Sequence, residues 1–117
     1  MTIQTLEQFQ ATFAAKPVKV SLEQFGKDAA FYLKPLTSAD RDNFEASIVG
    51  AEGKQRNLAN LRARLVALCW CDKDGNPIGS AKDIGTLRAD LVGALFDEVR
   101  HLNGMDPEED VGEAGKD

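Results

Sequence analysis

Leucine recurs at Leu58, Leu61, Leu65 and Leu68, in steps of three, four and three. That rhythm puts all four on one side of a helix, and Ala59 and Val66 widen the stripe. A second stripe follows near the end of the chain: Leu87, Leu91, Leu95, Val99 and Leu102, flanked by Val92 and Phe96. Thr86 stands where its N-cap is expected, and Gly104 where a left-handed residue closes a helix. These two stripes make the fold mainly α.

The remaining elements are smaller. Leu6, Phe9 and Phe13 fit a short first helix over residues 5–15, capped by Thr5 and stopped before Pro17. In "VKVSLEQFG", Val18, Val20 and Leu22 alternate with Lys19, Ser21 and Glu23, the period of a half-buried strand. "GKD" supplies a turn and "AAFYLKPL" a second strand ended by Pro35, so the two form a β-hairpin. Such a hairpin is marginal alone and must pack on helices or pair with another copy. Thr37 and Asp40 read as a capping arrangement opening a helix that buries Phe44 and Ile48 and ends at Gly50. "AEGKQ" is a polar connection, and Ser80 with Asp83 opens a short helix over 81–85. The expected fold is therefore mainly α with a small β-hairpin (α+β): a short N-terminal helix, the hairpin, then three to four helices.

Charge separates body from tail. Residues 106–117 hold six acids (Asp106, Glu108, Glu109, Asp110, Glu113, Asp117) against Lys116, while residues 1–105 hold 13 acids and 13 bases. We expect one domain over 1–105 and a flexible acidic C-terminal tail over 106–117. A neutral body with an acidic tail lacks the basic surface that nonspecific nucleic-acid binding requires. No apolar run approaches the ~20 residues of a membrane span, and "MTIQTLEQFQATF" lacks the basic start and apolar core of a signal peptide. Two cysteines two residues apart fit reduced thiols in a cytosol.

Cys69 and Cys71 with the single His101 fall short of the four ligands zinc takes, and C-x-C is not the redox spacing. Asp72, Asp74, Asn76, Ser80 and Asp83 occupy positions 1, 3, 5, 9 and 12 of a calcium loop. Pro77, however, stands where that loop needs glycine, and Asp83 is short for the bidentate position. An acidic turn is the better reading. "VGAEGK" lacks the Ser/Thr and preceding strand of a phosphate loop. No nucleophile has an evident base beside it. Catalytic residues, metals and cofactors are accordingly expected to be none.

The order of the segments "LTSADRDNFE", "NLRARLVALCWCDKDGN" and "LFDEVRHLNGM" resembles the tail assembly chaperones of long-tailed, non-contractile bacteriophages and prophages, over about residues 17–112. The resemblance implies a mostly helical fold with a small β element. It also implies binding of the tape measure protein, a long helical protein kept soluble until tail tube subunits polymerise around it. The expected location is the host bacterial cytoplasm, not the mature virion. A frameshifted longer form would recruit tail tube protein, and codons GCG-GGA-AAG for Ala114–Gly115–Lys116 would contain the slippery run GGGAAAG. Gly79 stands where a bulkier residue is expected.

For the binding surface the reading points to the third helix and its exit turn: Arg62, Arg64 and Trp70, with Phe96 of the last helix nearby. The plainer alternatives are a solvated basic face (Lys54, Arg56, Arg62, Arg64) and core packing of Trp70. The rival functions are a tail or connector subunit retained in the virion, and a small enzyme or metal-dependent regulator. An unpaired hairpin edge would favour a homo-oligomer.

Overall fold

A computed structural model describes residues 1–49 and 58–105. The expected Gly50 stop, the 51–55 connection, Lys54, Arg56 and the acidic tail lie outside the described residues. The rest is mainly α with one small antiparallel sheet: α1 (Leu6–Phe13), β1 (Val18–Ser21), a 3-10 turn (Glu23–Phe25), β2 (Ala30–Leu33), α2 (Ser38–Ile48), α3 (Leu61–Cys69), β3 (Trp70–Cys71), α4 (Ala81–Ile84) and α5 (Ala89–Leu102).

Helix α1 starts as read, with the Gln8 N–H donating to Thr5 Oγ1 at 3.0 Å. It ends two residues early, because Ala14 is already extended on the approach to Pro17. β1 and β2 pair from Val18↔Leu33 to Ser21↔Ala30. Their connection is longer than "GKD": the chain leaves the strand after Ser21, makes the 3-10 turn, and reverses at Gly26, whose φ of 140° suits glycine.

The sheet has a third strand. β3 pairs with β2 through Tyr32↔Cys71 and Leu33↔Trp70, giving the order β1-β2-β3. The expected hairpin is present and is extended by this third strand: the β2 edge is covered from within the chain, and β1 is left as an outer strand. Two residues are too few to show a period, so α3 masks β3 in the sequence.

Both smaller caps form. The Asp40 N–H donates to Thr37 Oγ1 at 3.1 Å, and Phe44 is buried below α2. Ser80 and Asp83 make a reciprocal capping box on α4, at 3.1 and 3.3 Å. A Cβ at position 79 would meet Asp83 Cβ at 3.4 Å, an ordinary van der Waals contact with that helix.

Two helix starts differ from expectation. α3 begins at Leu61, after Asn60 in the left-handed region (φ 55°, ψ 31°), so Leu58 lies outside the stripe it seemed to begin. α5 begins at Ala89 with Arg88 at the cap position, not Thr86. Thr86 is already engaged: its N–H and its hydroxyl both donate to Asp83 O, at 3.1 and 2.6 Å, closing the turn after α4. The end of α5 is as read. Gly104 is left-handed, its N–H donates to His101 O, and the Met105 N–H donates to Arg100 O at 2.7 Å, a Schellman closure.

The core lies between α3 and α5, closed by α4, α2 and β2. Leu33, Leu65, Val66, Cys69, Ile84, Leu95 and Val99 are fully or almost fully buried. On α3 the buried set is Ala63, Leu65, Val66 and Cys69, while Leu61 and Leu68 are only half-buried. The helix is covered on more than one side, so its neighbours decide which residues go inside, and leucine spacing alone does not.

Candidate functional site: an apolar groove between α3, α4 and α5

Between the N-terminal parts of α3 and α5 and the end of α4 lies an open groove of about 460 Å³. Its apolar lining includes Leu58, Leu61, Ile84, Leu87 and Phe96. Leu58 and Leu87 are 53% and 41% exposed, unusual for leucines flanking a core and suited to an apolar partner. The two displaced helix starts create this arrangement. Because Leu58 and Leu87 fall just outside their helices, they stand at the mouth and not in the interior.

Asn60 fixes the mouth. Its side-chain amide donates to Ala81 O at 3.0 Å, tying the start of α3 to the start of α4. Gly85 has no side chain to collide with it: a Cβ there would lie 2.7 Å from Asn60 Oδ1. Asn60, Leu58, Leu87 and Gly85 were not singled out as site residues in the sequence. Asparagine next to a helical run was the available signal, since it tolerates the left-handed region.

The four residues expected at the binding surface do not converge. Arg62 and Phe96 come together in the groove, with the Arg62 guanidinium 5.8 Å from the ring centroid; Arg100 approaches the same ring at 5.3 Å. Arg64 faces α2 instead and donates from Nη1 to Ser47 Oγ at 2.9 Å. It borders a second, shallower depression of about 380 Å³ with Phe44 and Leu68. Trp70 belongs to β3 and meets Phe31 edge-on at 5.8 Å. Residues 62 and 64 are two apart on a helix and so point to different faces.

The acidic turn is structural. Asp72 Oδ1 accepts the N–H groups of Asp74 and Asn76, both at 2.9 Å, and these bonds hold its carboxyl below the usual range. With Asp83 committed to its capping box, no group of three His, Cys, Asp or Glu among the described residues is placed to hold a metal ion. Cys69 and Cys71 are buried free thiols. Burial pushes Cys69 up to about 11, outweighing the amide of Asn103 that donates to its sulfur, and also raises Cys71. Such thiols are poor nucleophiles.

Among the described residues no helix is long and apolar enough to cross a membrane. No family model matches the chain, and neither a curated protein nor a solved structure matches it.

Proposed function

We propose that this chain is a phage tail assembly chaperone that binds the tape measure protein in the host bacterial cytoplasm. The observation that carries the reading is the groove: a preformed apolar trough with exposed leucines at its mouth and arginines at its side. An amphipathic helix lays its apolar stripe into such a trough, and a long helical client offers many equivalent stripes to successive copies of the chaperone. Arg62 beside Phe96 would meet acidic residues flanking the stripe. The shallow, half-open shape suits contacts that must be released when tail tube subunits arrive. A longer form carrying an extension would recruit those subunits.

The test is co-expression with a tape measure protein of the same phage or prophage. The expected result is a partner soluble only in its presence and co-purifying with it. A partner indifferent to the chain, together with the chain's presence in purified virions, would replace this reading with that of a retained tail subunit.

A further inference from the structure

The same chain carries a stripe that matches its own groove. On α1, Leu6, Phe9 and Phe13 are 71%, 50% and 54% exposed, and the helix buries no residue. Phe9 and Phe13 stack against one another across that face, with ring centroids 5.2 Å apart. An eight-residue helix is marginal in water unless its apolar side is covered. Yet α1 has a formed N-cap and a clean stripe at steps of three and four.

The geometry points away from α1 covering its own groove. Residues 14–17 lead from α1 to β1, and the Pro17 ring sits beside the Gly75 turn, 3.7 Å from where a Cβ on Gly75 would lie. That turn follows the C-terminal end of α3, whereas the groove is lined by Leu61, Arg62 and Ala63 at its N-terminal end. The Pro17 end of the linker and the groove thus lie toward opposite ends of α3. Charge also matches: α1 carries Glu7 and no base, and Arg62 lies at the groove.

We propose that α1 of one copy docks in the groove of a second copy, with Phe9 and Phe13 entering between Leu58, Leu87 and Phe96. The contact is heterologous, so each copy keeps one free α1 or one free groove and can add another. It is small, and association is therefore weak and concentration-dependent. This inference needs only α1 and the groove and does not rest on the identity of the client, although a client helix and α1 would exclude one another from the same groove.

Sedimentation velocity on the full chain tests it, with variants altered only at exposed positions and checked for unchanged circular dichroism. The wild-type chain should exceed its monomer mass of 12.7 kDa as concentration rises toward about 100 µM. Phe9→Ser/Phe13→Ser and Leu87→Glu should each weaken association at least about tenfold. Mixed at equal amounts, the two variants should form a one-to-one pair, because one supplies the groove and the other the helix. A wild-type chain that stays monomeric overturns the proposal. So does a Leu87→Glu chain that associates as the wild type does, which would place α1 against α1, or a mixture that remains monomeric. A monomer that still solubilises the tape measure protein would fail here and leave the chaperone reading intact; an assembling chain without that activity would do the reverse.

Discussion

The side-chain carbonyl of Asn103 accepts the backbone N–H of Leu36 at 2.8 Å, joining the residue that ends α5 to the segment between β2 and α2. The amide end of the same side chain donates to Val99 O at 2.8 Å and leans on the Cys69 sulfur at 3.9 Å. One asparagine thus ties α5, α3 and the exit of the sheet.

Asn103→Ala should therefore destabilise the fold by about 1–3 kcal/mol, since it strands a half-buried N–H as well as removing a bond. Urea unfolding followed by tryptophan fluorescence measures it. Asn103→Asp should also destabilise, because the acceptor for Leu36 survives but a carboxylate oxygen replaces the donor to Val99 O at the negative end of α5.

Asn60 and Gly85 should couple. Asn60→Ala loses both the bond to Ala81 and a residue tolerant of the left-handed region, whereas Asn60→Gly loses the bond alone. The alanine variant should be less stable by about 1 kcal/mol. Gly85→Ala displaces the Asn60 side chain and should cost about 0.5–1.5 kcal/mol in the wild type. In an Asn60→Gly background it should be close to neutral. A double-mutant cycle by chemical denaturation reads the difference.

Thiol ionisation should set an alkaline limit. Cys69 is held protonated in the fold up to about 11, above its ordinary value of 9.0. Between those values the unfolded chain has released a proton that the folded chain keeps, so stability falls as pH rises through the window. Urea midpoints at a series of pH values should decline there, and less steeply in Cys69→Ala. In native protein at pH 8 both thiols should react with a disulfide reagent far more slowly than in urea.

The two arginines should separate in binding. Arg62→Glu, beside Phe96, should weaken capture of the tape measure protein about five- to tenfold, close to 1–1.4 kcal/mol. Arg64→Glu, turned toward Ser47, should change it by less than about twofold. Titration of the purified chain against a soluble tape measure fragment measures both.

The sequence exposed what local chemistry controls. Thr5, Thr37 and Ser80 begin their helices through side-chain caps, Gly104 ends one because it has no Cβ, and Leu95 and Val99 are buried. What it hid depends on competition between neighbours. Thr86 resembles a cap, but the preceding turn takes its hydroxyl and N–H first. Leu58 and Leu87 continue their stripes in register yet fall outside the helices, and that offset is what makes a groove. Spacing alone sets Arg62 and Arg64 on different faces of α3, but which face meets α5 and which meets α2 appears only in the packed fold.

α3 becomes β3 with no residue between them: Cys69 closes the helix, and Trp70 is already paired with Leu33. A connection without slack behaves as a rigid lever. A tilt of α3 at the groove end would meet no loop before the ring contact between Trp70 and Phe31. The fluorescence of the single tryptophan of the chain should therefore change when the opposite end of the helix is engaged.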